Sequence, residues 1–336
     1  MKRRILVLLT GVLATMLLVS LYLGQYRLPL ADIFNYAGYK LFGLQHLPAE
    51  KITVLENVLI NIRLPRALAA TMIGASLAVS GTSFQALFIN PLVSPGLLGV
   101  LAGASFGAAL GLVISESWFI VQISTLLFGF AAVTLAATIA RIYRIRSVIM
   151  LVLGGMISAS LFTALLSIVK YAADPTNQLP AIVYWLMGSL AAVDNQTVLA
   201  MSVPMVVGIV IICLYGRQLN AISMGDEEAK SLGINIARVR LVVIFFTTLI
   251  SALTVMAGGM IGWVGLIIPH ICRMVVGPNN ETLLPAAALT GAIYLLVVDN
   301  VSRLLFSFEI PIGFLTALIG IPFFVMVLGN AQKGWR

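Results

Sequence analysis

The residues best suited to chemistry in this 336-residue chain are few and scattered. His270 and Cys272, in "IIPHICR", carry side chains that bind transition metals. Two residues apart on a helix, they point to roughly opposite faces, so we expect no shared metal ion. The sequence also has no GxxxxGKS or GxxxxGKT phosphate-binding loop, and no nucleophile, base and orienting group occur together. It therefore predicts neither a catalytic site nor a metal site.

A charged island, "SMGDEEAKSLG" at residues 223–233, interrupts an otherwise apolar part of the chain. Ser223 fits a helix N-cap, and the three acidic residues that follow favour the positive end of a helix dipole. Gly233 is placed to end this helix, and Asn235 to cap the next one. We predict a helix of about nine residues. It is either part of an ordinary solvated loop or a rigid surface to which a soluble partner binds.

The composition is that of a membrane protein. Hydrophobic residues make up 60% of the chain and charged residues 10%, against about 25% charged in a soluble domain. The net charge of +8 suits a cytoplasmic membrane face, and no basic cluster is large enough to indicate nucleic acid. The two cysteines lie in or beside apolar runs, which indicates no disulfide framework.

Apolar runs that approach the length needed to cross a bilayer recur along the whole chain. The first has no clear cleavage site after it, so we interpret it as a retained helix and not as a signal peptide. The ten predicted spans are 5–23, 64–84, 92–114, 118–140, 147–169, 198–215, 239–260, 263–276, 282–299 and 311–329.

Ten spans put both termini on one side, and that side receives 13 of the 20 Lys and Arg residues. The richer side should be cytoplasmic, so the termini and the charged island are expected to face the cytoplasm. On the other side, neither residues 24–63 nor residues 170–197 look like a separate domain. We expect residues 1–336 to form one transmembrane domain.

The predicted spans carry almost no ionisable residues at their centres, which argues against a proton-coupled transporter. A sodium-coupled carrier can use backbone carbonyls and hydroxyls, so that class stays open, as does a channel. The energy source for transport is therefore expected to lie outside the chain.

At this point the chain resembles the permease subunits of ATP-driven importers for ferric siderophores, haem and cobalamin. Five blocks carry the resemblance in order: "NIRLPRALAATMIGASLAVSGTSFQALFINPLVSPGLLGVLAGASFG", "WLMGSL", "SMGDEEAKSLGI", "AGGMIGWVGLIIPHICRMVVGPNNETLLPAAALTGAIYLLVVDNVSR" and "EIPIGFLTALIGIPFF". It implies an all-α polytopic membrane protein with about ten helices per subunit, similar to the cobalamin importer permease, in a bacterial inner membrane.

The resemblance also implies partners. A second copy of the chain would complete a homodimer, two ATP-binding cassette subunits would bind on the cytoplasmic face, and a solute-binding protein would dock outside. ATP and magnesium would belong to the ATPase, with no cofactor in this chain. The island would be the coupling helix in the ATPase cleft, with Ser223, Gly225, Asp226, Glu227, Glu228, Ala229, Leu232 and Gly233 as its residues.

Three arginines on the basic-poor side, Arg63, Arg66 and Arg303, match family positions that pair with acidic residues of the binding protein. The planar donor fork of Arg suits such interface ion pairs. The alternative is interfacial snorkelling. Asp299 and Glu309 flank Arg303 in sequence and are candidates to hold it at rest.

The mechanism implied is alternating access driven by the ATPase. The fifth span and the loop before it are candidates for the translocation path and its gate. The candidate residues are Ser147, Gly154, Gly155 and Ser158. Helix packing is the competing interpretation of these small residues. The substrate stays open between a metal chelate and a small metal oxyanion such as molybdate or tungstate.

Overall fold

In the computed structural model, the described residues are 2–43, 47–115, 117–142 and 148–331, and their regular structure is helical throughout. This confirms the all-α prediction. The helices are α1 (Lys2–Tyr22), α2 (Leu30–Phe42), α3 (Ala49–Leu87), α4 (Val100–Ile114), α5 (Trp118–Ile142), α6 (Val148–Ala172), α7 (Gln178–Leu186), α8 (Asn195–Leu214), α9 (Gly216–Ile222), α10 (Asp226–Ser231), α11 (Ile236–Gly258), α12 (Val264–Val276), α13 (Asn280–Leu304) and α14 (Ile312–Ala331).

Helices occur at all ten predicted spans. Among the described helices, seven are long and apolar enough to cross a membrane, namely α1, α3, α5, α6, α8, α11 and α13. The three shorter apolar helices, α4, α12 and α14, occupy the other predicted spans. The prediction of a polytopic membrane protein is confirmed.

The helix α3 lies at the centre of the bundle and is buried along most of its length after a π-helical segment, Glu56–Arg63. Two glycines let neighbouring helices approach its backbone. A Cβ atom at Gly74 would lie 2.1 Å from the carbonyl oxygen of Gly291 in α13, and one at Gly81 would lie 1.9 Å from that of Gly265 in α12. Close contacts of this kind are a main source of helix association in membranes.

The predicted span 92–114 begins too early, because its helix starts only at Val100. The preceding residues are irregular apart from a single 3-10 turn, Pro95–Leu98, whose ends are buried against α6 and α12. Pro95 has no backbone N–H to donate, and Gly99 adopts a positive φ of 81° at the turn into α4. Val93, Pro95, Leu98 and Gly99 are buried, in agreement with the rule that a membrane protein tolerates irregular backbone where protein encloses it.

Three of the quoted sequence blocks meet through backbone hydrogen bonds. The amide of Ser189 donates to the carbonyl of Gly258 at 3.0 Å, and the amide of Ile312 donates to Gly188 at 2.8 Å. Gly188 has a φ of 78° and lies against the backbone of Met260, so a side chain there would be strained and crowded. These contacts join the loop after α7 to the end of α11 and the start of α14.

The bundle has two ends that matter below. We call the end formed by Tyr22, Arg63 and Arg303 the arginine end, because Arg63 donates to the carbonyl of Tyr22 there. We call the opposite end the α10 end, where the hydroxyl of Ser223 donates to the carbonyl of Ala86 near the end of α3. At 1.5 Å per residue, the helix between Arg63 and Ala86 separates the two ends by about 35 Å.

Candidate functional site

The charged island forms a helix of six residues, α10, which is shorter than predicted. The prediction of Ser223 as its N-cap is wrong. A short helix that the sequence analysis did not anticipate, α9, runs up to Ile222, and the hydroxyl of Ser223 donates to Leu219 within it at 2.8 Å. Gly225 caps α10 instead, with a φ of 128° that only glycine adopts easily.

The other predicted boundaries of this region are confirmed. Gly233 adopts a φ of 75°, and its amide donates to Lys230 at 2.9 Å as the helix ends. Asn235 caps α11, since its side-chain oxygen accepts a hydrogen bond from the amide of Arg238 at 3.0 Å. Both turns therefore fix the direction in which α10 projects.

Two contacts anchor α10 to the bundle. Asp226 accepts two hydrogen bonds from the guanidinium of Arg240 in α11, at 2.8 and 3.1 Å. Ala229 is fully buried in a cluster with Ile222 and Ile236, and its amide donates to Gly225 at 3.0 Å. One face of the helix is thus tied to α9 and α11 by packing and by charge.

The opposite face of α10 is free of contacts with the rest of the described chain apart from local ones. The side chain of Glu227 is 92% exposed, and its one ion pair, with Lys230, is 3.8 Å long. Met224 and Leu232, on either side of the helix, are 69% and 64% exposed. A helix that is anchored on one face and exposes acidic and apolar side chains on the other can bind a partner and transmit the partner's movement to the bundle.

At the arginine end, the structure buries all three predicted arginines, and two of them share one buried acidic partner. Arg66 donates from Nε to Asp299 at 2.8 Å and from Nη1 to Glu309 at 2.7 Å. Arg303 lies 3.6 Å from the second oxygen of the same aspartate. Asp299 is fully buried, and its two carboxylate oxygens face the two arginines.

Backbone carbonyls and small polar groups complete this network. Arg63 donates to the carbonyls of Leu21, Tyr22 and Tyr26 at and just after the end of α1, and its guanidinium packs against Gly24. Arg303 donates to the carbonyl and hydroxyl of Ser20 at 2.9 and 2.8 Å. The arginines therefore tie α1, α3 and α13 together.

The sequence analysis expected Asp299 and Glu309 to hold Arg303, yet Arg66 is their principal partner. The roles of Ser20 and of the carbonyls after α1 were not anticipated. A small hydroxyl in an apolar run gives no signal of its own, and only the crossing of α1 with α13 brings Ser20 to Arg303. The predicted docking role of the arginines stays a prediction.

The candidate path residues in α6 are engaged in packing. A Cβ at Gly154 or Gly155 would lie 2.5 or 2.2 Å from a carbonyl oxygen of Ala136 or Leu97, respectively. The buried hydroxyl of Ser158 donates to Ala132 at 2.7 Å. These contacts favour the competing interpretation for this face of α6, and the path role stays a prediction. Ser147 lies outside the described residues.

Metal-ligand side chains do not gather in the part of the chain that the structure describes, where no group of three or more His, Cys, Asp or Glu residues could hold an ion. Cys272 is buried, and the ring of His270 packs edge-on against Phe323 with the centroids 6.1 Å apart. Their contacts are those of structural residues.

Comparison with known proteins agrees with this architecture. Residues 12–330 match the FecCD transport family. The molybdate import system permease protein MolB of Haemophilus influenzae is 41% identical over 326 residues, which cover 97% of this chain and 95% of MolB. A probable iron chelatin transport system permease protein of Helicobacter pylori is 35% identical over 281 residues, covering 83% of this chain and 84% of that protein.

Among solved structures, a metal-chelate type ABC transporter in an inward-facing conformation superposes with a TM-score of 0.86 at 40% identity. The match covers 98% of this chain and 99% of that one. The family resemblance seen in the sequence is thereby confirmed. The chain belongs to the FecCD transport family and is the permease subunit of an ABC importer of the metal-chelate type.

Proposed function

We infer that residues 1–336 form one permease domain that pairs with a second copy to import a metal chelate into a bacterial cytoplasm. Two ATP-binding cassette subunits would bind at the α10 end, and a solute-binding protein at the arginine end. Both termini and α10 would then face the cytoplasm across the inner membrane. The observation that carries this proposal is the anchored, outward-facing helix α10, in a chain whose family works with such partners.

The anchoring of α10 explains how a partner's movement would enter the membrane. When ATP and magnesium close the ATPase pair, a push on the exposed face of α10 reaches α11 through the Asp226–Arg240 pair and through buried Ala229. Because α11 spans the bundle and packs against α3, the displacement would pass to the central helix. Alternating access follows if the two copies shift relative to each other.

The arginine end would receive the solute-binding protein. Asp299 and Glu309 match the charges of Arg66 and Arg303, whereas Arg63 bonds only to backbone carbonyls, so its positive charge has no acidic partner among the described residues. Acidic residues of a partner would complement that charge, and Glu309, which is one-third exposed, is the acid they would displace most easily. Docking would in this way loosen a network that ties α1, α3 and α13 together.

Ala229→Pro tests the coupling role. Proline removes the hydrogen bond from this amide to Gly225 and does not fit the buried position, so α10 should lose its shape. In proteoliposomes that contain the whole complex, we expect ATP hydrolysis to continue or the ATPase to dissociate, while substrate uptake falls at least tenfold. Uptake at the normal rate per ATP hydrolysed would contradict the proposal.

Ser231→Ala is the matched control, because it changes an exposed side chain of the same helix outside the predicted coupling residues and leaves the backbone intact. Both variants are compared for thermal unfolding and for elution as a monodisperse complex. An Ala229→Pro variant that folds and assembles but does not transport separates loss of coupling from loss of structure.

Molybdate is the second candidate substrate, and the 41% identity to a molybdate permease favours it. The affinity of the cognate solute-binding protein for ferric siderophores, haem, cobalamin, molybdate and tungstate decides between the two. Tight binding of a chelate supports the first candidate. Tight binding of an oxyanion with the chelates ignored replaces it with the second.

A further inference from the structure

A groove opens on the side of the bundle between α5 and α11, at the α10 end. Its volume is about 1220 Å³, and its lining is mostly apolar. Phe130 and Phe245 form one wall with ring centroids 5.3 Å apart, and buried Leu87 and Val133 contribute to the lining. An elongated apolar molecule, such as an acyl chain, fits a groove of this size and polarity.

The rim of the groove is basic. Arg141 at the end of α5 and Arg238 at the start of α11 both line it, are exposed, and form no ion pair with another described residue. Arg240 lines it as well, and its Nε atom is buried without a hydrogen-bond partner among the described residues. No acidic side chain belongs to the described lining.

The start of α11 adds to this positive field. Asn235, Ala237 and Arg238 line the groove in the first turn of a 23-residue helix, whose N-terminus carries a partial positive charge. Arg141 lies in the last turn of α5, after the apolar residues of that helix that line the groove. The positive charges therefore lie at one end of the groove and the apolar wall extends away from them. A molecule that satisfies both must be an anion at one end and a hydrocarbon at the other.

We propose that this groove binds an anionic phospholipid, with its phosphate between Arg141 and Arg238 and an acyl chain along Phe130 and Phe245. Basic pockets between helices near a membrane surface attract anionic headgroups in general. The surrounding bilayer supplies this ligand at high local concentration. A zwitterionic lipid would fill the apolar part equally well but would gain little from the arginines.

The bound lipid would lie next to the contact that anchors α10. Arg240 lines the groove and also forms the pair with Asp226 that ties α10 to α11. A lipid that bridges α5 and α11 would therefore stabilise the frame against which α10 moves. This site lies on the side of the bundle, and its lining includes none of the residues predicted to contact the ATPase or the solute-binding protein.

Native mass spectrometry of the purified chain tests the proposal, with phosphatidylglycerol and phosphatidylcholine of identical acyl chains as probes. We expect one phosphatidylglycerol to be retained in clear preference to phosphatidylcholine. Each arginine near a headgroup contributes about fivefold in affinity, so Arg141→Gln with Arg238→Gln should reduce retention of phosphatidylglycerol about 25-fold. Thr134→Trp, which fills the groove without changing charge, should reduce retention of both lipids.

The matched control is Arg217→Gln with Lys230→Gln, which removes two exposed charges at the same end but outside the groove. It should leave lipid retention unchanged. Equal retention of the two lipids by the unaltered chain would overturn the proposal, as would equal losses in the two double variants. Protection of the groove by a second copy of the chain, seen as crosslinking through Leu241→Cys, would also overturn it.

Discussion

The two ends of this bundle use charge in opposite ways. At the α10 end, acidic side chains point outward and an alanine is buried, whereas at the arginine end the charges themselves are buried and backbone carbonyls receive them. The side chains of Arg66 and Asp299 are 7% and 0% exposed, while those of Arg240 and Asp226 are 23% and 39% exposed. Similar ion pairs therefore have different consequences for folding.

The physical reason is the cost of removing charge from water. A half-exposed pair keeps much of its hydration, so it contributes little to stability and is free to exchange partners. A buried pair is costly to form, and it is still more costly to leave half-made. We therefore expect the arginine end to control folding and the α10 end to control assembly.

Removal of the central carboxylate should have the largest effect. Asp299→Ala leaves Arg66 and Arg303 without their shared buried partner, and we expect it to lower the free energy of unfolding by about 3–5 kcal/mol. Asp226→Ala, at the half-exposed pair, should cost about 0–1 kcal/mol. Denaturant titration of both variants in the same detergent measures the difference. Equal losses would break the contrast between the two ends.

The apolar residue next to α10 should matter for assembly and not for folding. Leu232→Asp places a charge on an exposed position, so thermal unfolding should be unchanged, while affinity for the ATPase subunit should fall at least about tenfold if this face is the contact. Leu232→Met keeps the apolar surface and serves as the control. Undiminished binding of the Asp variant would remove the α10 face from the interface.

Two helix caps allow a finer comparison. Asp194 caps α8 at the arginine end by accepting from the amide of Thr197 at 2.8 Å, and Asn235 caps α11 at the α10 end. Replacement of either by Ala should cost about 1 kcal/mol at neutral pH. Hydrogen bonds from the side chain and backbone of Thr197 lower the pKa of Asp194 below its usual 3.8.

The sign of the pH effect follows from that shift. A lowered pKa means that the ionised carboxylate stabilises the fold above pH 3.8 and that this contribution is lost as the pH falls through the pKa of the folded state. The cost of Asp194→Ala should therefore shrink on acidification, whereas that of Asn235→Ala should not. Parallel pH dependence of the two variants, measured by unfolding titrations, would be inconsistent with this view of the caps.

The smallest expected effect concerns docking. Glu309→Gln removes the more accessible of the two acids that hold Arg66, which should free this arginine for an acidic partner and raise the affinity of the solute-binding protein about threefold. Glu56→Gln, which breaks the exposed pair with Lys40, is the control. A weaker complex with the Glu309 variant would assign Glu309 itself to the interface.

The sequence predicted these two regions unequally well. Gly233 and Asn235 act as predicted because a helix end and a cap depend on the residue and its immediate neighbours. Ser223 fits the pattern of an N-cap equally well, but the short helix before it takes its hydroxyl. The path residues Gly154, Gly155 and Ser158 illustrate the same limit, since a small-residue stripe in a membrane helix permits both packing and a pore lining.

The sequence by itself determined the helical membrane fold and the presence of a helix at each of the ten predicted spans, because the length and hydropathy of each segment are local properties that a bilayer selects. Its motifs determined the family. Only the tertiary structure decided that Asp299 pairs first with Arg66, that Ser20 and carbonyls at the end of α1 accept hydrogen bonds from arginines, and that Val93, Pro95, Leu98 and Gly99 are buried in the bundle. Each of these depends on which helices cross and how closely, and the crossings are set by contacts between residues far apart in the chain.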